Sequence, residues 1–206
     1  MKEIAIYLEG GGPTVETQAQ LRLGMSAFLA PVVQVARARR ARWRLVPCGG
    51  RSATFDAFCH ALRTEPEVLN FLLVDAEAVP VAGSPWKHLA ALPGENWQKP
   101  ATARDDDCHL MVATMETWFL ADLGTLKRYF GKGFKAAKLN LRSSLETVEK
   151  TRIAAGLAAA TRDTAAKAYE KIRDGAKLLA QIDAALVRQA CPHCDRLFVT
   201  LIKKLR

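Results

Sequence analysis

The first 75 residues alternate between two hydrophobic periods. Residues 4–8 form a short apolar run closed by Glu9-Gly10-Gly11-Gly12-Pro13, which has the length and punctuation of a buried strand followed by a tight turn. Between residues 15 and 39 the apolar positions Ala19, Leu23, Ala27, Ala30 and Val33 recur at helical spacing, and Pro31 predicts a break or bend. Residues 43–48 read as a second strand and Gly49-Gly50 as a turn, with Ser52 as the N-cap of a helix that buries Phe55, Phe58 and Leu62. The most hydrophobic run, Leu69 to Asp75, is the third strand. This β-α-β-α-β order predicts an α/β fold, with a central, mostly parallel sheet, right-handed crossovers and helices on its faces.

Beyond Asp75 the pattern becomes irregular. Residues 76–107 carry Pro80, Pro85, Pro93 and Pro100 with two tryptophans, an irregular insertion too long to serve as a plain connector and therefore a candidate substrate loop. Residues 108–113 predict a fourth strand. It leads into a helical stretch, residues 115–122, with Glu116 and Leu120 on one side. Residues 123–206 read as a helical C-terminal extension, with helices over 164–182 and 183–190 and another beginning at Pro192. No repeat or linker interrupts the chain, so residues 1–206 are expected to form a single domain.

Composition narrows the function classes. The 206 residues are 50% apolar and 25% charged, as in an ordinary globular protein. The longest strongly apolar run, Phe71-Leu72-Leu73-Val74, is far below the roughly 18 residues that cross a bilayer. With no signal-peptide pattern at the N-terminus, the expected location is the cytoplasm, away from any membrane.

Charge is unevenly spread. Residues 1–122 hold 12 basic and 14 acidic side chains, whereas residues 123–206 hold 18 and 7, and the net charge is +9. A basic C-terminal part suggests a polyanionic partner, DNA or RNA, because Lys and Arg that neutralise phosphates release condensed counterions. The cluster Arg37, Arg39, Arg40, Arg42 and Arg44 reads either as a phosphate track or as a solvated helix end and edge strand. Five cysteines without a secretory pattern are expected to be reduced. Cys191 and Cys194 have the spacing of half a zinc knuckle, but Cys108-His109 is a poor second half, so packing is the favoured reading. His60, His88, His109 and His193 show no ligand spacing and are given no catalytic role.

The candidate chemistry lies beyond the carboxyl ends of the strands, where open parallel sheets bind their ligands. Glu9 follows the first strand, Asp75 ends the third, and Glu77 comes two residues later. On extended backbone that spacing directs Asp75 and Glu77 to one face. Three converging carboxylates repel unless they are protonated or neutralised. Hard oxygen donors favour magnesium, or manganese, which takes one or two carboxylates plus water and substrate phosphate.

Glu9-Gly10-Gly11-Gly12, Cys48-Gly49-Gly50-Arg51, Leu73-Val74-Asp75-Ala76-Glu77, Cys108 to Val112 with Met115 to Asp122, and Pro192 to Phe198 resemble, over nearly the full chain, the bacterial domain-of-unknown-function family 4276. That family looks related to Toprim domains, the metal-binding fold of topoisomerases, primases and overcoming-lysogenization-defect nucleases. Its setting is similar to that of proteins paired with ABC-type ATPases in phage defence. The resemblance matches Glu9 to the Toprim glutamate after the first strand, and Asp75 with Glu77 to the DxD element, with Glu in place of the second Asp.

What this implies is a magnesium-dependent nuclease or phosphodiesterase acting with an ATPase partner. Asp75 and Glu77 would hold the metal, and Glu9 would complete the site or move a proton. Glu116 is a further candidate ligand and Asp122 a possible additional acid. Arg51 and Lys171 are candidate phosphate contacts, and Tyr169 is a weaker one. The alternative is a non-catalytic nucleic-acid-binding or regulatory subunit of an ATPase complex. A small-molecule or nucleotide enzyme is disfavoured, because the glycine loop matches neither GxGxxG nor GxxxxGK[ST].

Overall fold

Along β1 (Glu3–Leu8) the side chains of Ile4, Ile6 and Leu8 enter one hydrophobic cluster, while Ala5 and Tyr7 enter another. The strand is therefore buried on both faces. β3 (Leu69–Asp75) divides in the same way, with Phe71 and Leu73 on the first face and Leu72 and Val74 on the second. In this computed structural model, which describes residues 2–80, 83–95, 97–139 and 144–206, β2 (Arg42–Pro47) and β4 (Cys108–Met111) complete a parallel sheet in the order β2-β1-β3-β4. The class is α/β with an all-parallel four-stranded sheet.

The crossovers explain which helix covers which face. From β1 the chain passes through α1 (Val15–Phe28) and α2 (Ala30–Ala38) to β2 on one side, then returns through α3 (Arg51–Thr64) to β3 on the other side of β1. Right-handed connections running in opposite directions place their helices on opposite faces. Accordingly Met25, Phe28 and Val32 pack in the first cluster and Phe58 in the second. Pro31 marks the predicted bend, since α1 and α2 meet at 77°. Among the described residues no single helix is long and apolar enough to cross a membrane.

Several expected elements differ in detail. The buried stripe of α1 is Leu21, Gly24, Met25 and Phe28, while Leu23 is 72% exposed. Gly24 explains the shift, because a Cβ there would lie 2.2 Å from the carbonyl oxygen of Ala176 in α8 (Lys171–Leu179), so these helices meet backbone to backbone. Helix α3 starts at Arg51 with Gly50, not Ser52, as its N-cap, and Phe58 is buried whereas Phe55 and Leu62 are half-buried.

The insertion at residues 76–107 is not uniformly irregular. It contains α4 (Pro85–Ala91), whose Trp86 and Leu89 are buried against the second face, and Trp97 stacks on Phe55 with ring centroids 4.4 Å apart. β4 ends at Met111, and the stretch after it forms only the single turn α5 (Glu116–Phe119) before α6 (Leu123–Phe130).

The predicted helix over 164–182 shrinks to α8. Thr164 bonds the carbonyls of Thr161 and Lys167, Lys167 has a φ of +67°, and the Glu170 carboxylate accepts from the amides of Ile172 and Arg173, so the helix begins only at Lys171. The basic C-terminal stretch does not hang off the sheet. α7 (Lys150–Thr161), α8, α9 (Ala184–Ala190) and α10 (Pro192–Leu205) bury Ile153, Leu178, Val187, Leu197 and Phe198 in the first cluster.

Candidate metal centre

The strand order reverses between β1 and β3, so the crevice where α/β sheets gather ligands opens beyond their carboxyl ends. Glu9 stands at that point. Its amide donates to the Leu73 carbonyl at 3.0 Å, extending the β1–β3 ladder by one residue. Gly10 then exchanges hydrogen bonds with Gly49, and Gly10, Gly11 and Gly12 have φ of +113°, +88° and +66°. At Gly11 a Cβ would lie 2.9 Å from the Gln18 Cα. The turn therefore needs glycine, and it carries the chain into α1 while Glu9 faces β3.

Asp75 is 1% exposed, and both of its carboxylate oxygens accept hydrogen bonds. Its Oδ1 accepts from the Met115 amide at 2.8 Å, and its Oδ2 accepts from the Thr114 hydroxyl at 3.2 Å and the Lys171 ammonium at 3.1 Å. Its own amide donates to Glu9 Oε2 at 3.0 Å.

Glu77 reaches the same place by a different route from the extended pair that the spacing predicts. β3 ends at Asp75, the Glu77 amide donates to the Ala113 carbonyl at 2.8 Å, and Glu77 adopts φ +65°. That left-handed backbone disfavours a non-glycine residue, and the carboxylate is held by the Lys150 ammonium at 2.6 and 2.7 Å. Glu9, Asp75 and Glu77 each offer an oxygen within 4.8 Å of the others, and among the described residues they form the one acidic, histidine or cysteine group with this geometry.

Glu116, on α5, stands beside this trio and not within it. It accepts from the Thr114 hydroxyl and from the Tyr169 hydroxyl at 2.9 Å, and it lies 3.6 Å from Lys171. Thr114 and Lys171 thus bridge Asp75 to Glu116. Asp122 lies elsewhere. It is the N-cap of α6, accepting from the Thr125 amide and hydroxyl and from the Asp183 amide, so its expected role as an additional acid gives way to tying α6 to α9.

Arg51, the first residue of α3, has all three guanidinium nitrogens engaged. It donates to Glu95 at 2.5 and 2.7 Å, to Glu9 at 2.9 Å and to the Asp75 carbonyl at 2.5 Å, and it lies over the Trp97 ring. Its partners here are protein acceptors, and it orients Glu9. Lys171 likewise grips two carboxylates.

Burial and mutual repulsion govern protonation. Burial first, then the Asp75 charge, push the Glu9 carboxyl up to about 7 against the pull of Arg51. Asp75 is also raised, by burial and by Glu116, with Lys171 opposing. Burial works against the charge of Glu116 too, yet Lys171 and the hydrogen bonds from Thr114 and Tyr169 hold it below the usual carboxylate value. Burial likewise disfavours the Lys171 ammonium, but Asp75 and Glu116 keep it firmly charged. A divalent cation would relieve the strain on Glu9 and Asp75, and an all-carboxylate donor set suits magnesium or manganese better than zinc.

The remaining expectations resolve simply. Cys191 and Cys194 are buried in the hydrophobic core, and burial pushes their thiols up. Arg42 and Arg44 pair with Glu3, and Arg44 also pairs with Glu65, at the end of the sheet opposite the carboxylates.

Sequence reasoning missed Thr114, Lys150 and Glu95. Thr114 follows a strand, as candidate residues do, but Lys150 and Glu95 carry no local signal. The profile of a family described as Domain of unknown function (DUF4276) matches residues 9–202, from the first carboxylate into the last helix. No curated protein and no solved structure matches.

Proposed function

The chain belongs to the DUF4276 family, and on the strength of its converging carboxylates we propose that it is a Toprim-like, divalent-metal-dependent nuclease or phosphodiesterase acting on DNA or RNA. The observation that carries this reading is the meeting of Glu9, Asp75 and Glu77 at the reversal point of a parallel sheet, with two of the three carboxyls raised above their ordinary values.

Asp75 and Glu77 would hold magnesium or manganese. Bound there, the cation supplies charge stabilisation for a phosphoryl oxygen and a more acidic water. Glu9, poised near neutrality, is the residue suited to completing the site or moving a proton. Arg51 fixes Glu9, and Lys171 fixes Asp75 relative to Glu116. The excess of basic residues beyond residue 122 supports a polyanionic substrate. The resemblance to defence proteins makes an ABC-type ATPase the partner expected to release or stimulate the activity.

Cleavage of labelled DNA and RNA in magnesium or manganese, with and without such an ATPase, tests the proposal. Turnover that disappears in Asp75→Asn supports it; nucleic-acid binding with no turnover under any of these conditions contradicts it. That second outcome would favour a non-catalytic subunit, a reading with its own support in the ion pairs of Lys150 with Glu77 and of Lys171 with Asp75.

A further inference from the structure

Beside the carboxylates, between α5, α7 and the turn that leads into α8, lies a half-enclosed cavity of about 450 Å³. That volume falls within the ~300–1,000 Å³ typical of small-ligand sites. Ile153 and Ala154 of α7 and the ring of Tyr169 give it an apolar wall, Glu170 lies at its rim, and Thr114, Glu116, Lys150 and Lys171 line the side nearest the acidic group.

Two further lining groups are already committed. Glu170 caps α8, and Tyr169 donates its hydroxyl to Glu116, which leaves its ring as wall. The cavity shares five residues with the carboxylate network, Glu116 and Tyr169 among them. Thr114 bonds Asp75 and Glu116, Lys171 bonds Asp75, and Lys150 bonds Glu77. A ligand that fills the cavity therefore has its polar end at the metal-binding carboxylates.

We propose that this cavity receives one nucleoside of a single-stranded nucleic acid, drawn out of its stack, with the adjoining phosphate directed by Lys150 and Lys171 toward Glu9, Asp75 and Glu77. The inference rests on the phosphodiesterase reading and adds the form of the substrate to it. The chemistry of the lining selects this ligand. A nucleobase has a flat apolar face that Ala154 and the Tyr169 ring can cover, its phosphate needs cations, and the cavity holds both in the order in which a nucleotide presents them. A stacked base pair cannot enter a concave space of this size, so duplex must first fray or flip.

The test uses the full chain and a short single-stranded oligonucleotide carrying a terminal 2-aminopurine, titrated in calcium and, separately, in metal-free buffer. Its unstacking is followed by fluorescence, with duplex and a nucleoside 5′-monophosphate as competitors. Ala154 is exposed on α7, so Ala154→Leu adds bulk to the cavity at a position where the fold tolerates it.

The expected result is fluorescence enhancement in the wild type, competition by single strand well ahead of duplex, and affinity at least about tenfold weaker in Ala154→Leu. Calorimetric metal affinity in the absence of nucleic acid stays unchanged in that variant. Equal affinity of wild type and Ala154→Leu, or duplex competing as well as single strand, overturns the inference while leaving the metal site standing. The monophosphate outcompeting the oligonucleotide overturns the choice of a strand and makes the ligand a free nucleotide. Strand binding in metal-free buffer that is lost in Ala154→Leu, from a protein that binds no metal, supports the cavity and removes the phosphodiesterase reading.

Discussion

Glu77 is where backbone and chemistry disagree, and that makes it the best single position for separating fold from function. A left-handed φ of +65° costs a glutamate roughly 1 kcal/mol or more, while asparagine adopts it more readily. The half-exposed Lys150 pair that would be lost contributes about 0–1 kcal/mol. Glu77→Asn should therefore leave stability within about 1 kcal/mol of wild type in denaturant unfolding, while metal affinity falls at least about tenfold. Unfolding of this variant, or undiminished metal binding, would contradict the role given to its carboxylate.

His109 contributes a pH dependence of its own, opposite in sign to that of the raised Glu9 carboxyl and isolated by comparison with a His109 variant. Burial first, and the neighbouring Arg196 second, push its imidazole down to about 3. An unfolded histidine takes up its proton near 6.5, so between these values the unfolded chain binds more protons and stability falls as the pH drops, by about 1.4 kcal/mol per unit. Between pH 7 and pH 5 the wild type should lose about 2 kcal/mol more than His109→Gln. Parallel pH profiles for the two proteins would rule out a buried neutral imidazole.

At the scale of elements, α1 and α8 hold Lys171 in place. Their contact depends on Gly24, where a Cβ would sit 2.2 Å from the Ala176 carbonyl oxygen. Gly24→Ala would gain about 1 kcal/mol of helix propensity in isolation, but the helices must separate. A net loss of about 1–3 kcal/mol is expected, or roughly 2–4 °C in Tm per kcal/mol in thermal unfolding. A rise in Tm would mean that the helices are not in backbone contact.

The same contact shows why part of the architecture was legible and part was not. β1 and β3 were readable because both are short apolar runs cut off by polar or glycine punctuation, and α10 because Pro192 marks its first turn. The stripe of α1 was misread because an apolar scale favours Leu23 and is blind to a glycine chosen for close approach. The start of α8 was misread because the turn at residues 161–170 is built from side-chain hydroxyls and the Glu170 cap, which interrupt no hydrophobic period. Glu9 announced itself by following a strand and Asp75 by ending one. Lys150, 73 residues from Glu77, is placed by the docking of α7 alone.

For the whole molecule, the acidic first part and the basic second part of the chain are partly matched to each other. Lys150 pairs with Glu77, Lys171 with Asp75, and Arg196 with Asp106. The formal charge is still +9, which leaves cations available to a polyanion. A single strand that engages three or more of them should lose affinity with log salt at a slope steeper than about −2, measured from 50 to 200 mM salt. A flat dependence would exclude a phosphate-tracking surface.

All of this turns on whether the three carboxylates bind a divalent cation. The direct measurement is calorimetric titration of magnesium and manganese into the wild type, Glu9→Gln and Asp75→Asn, each first shown to be folded. The account predicts saturable binding in the wild type that is lost in both variants. No binding at millimolar metal, or binding that survives in both, would contradict it.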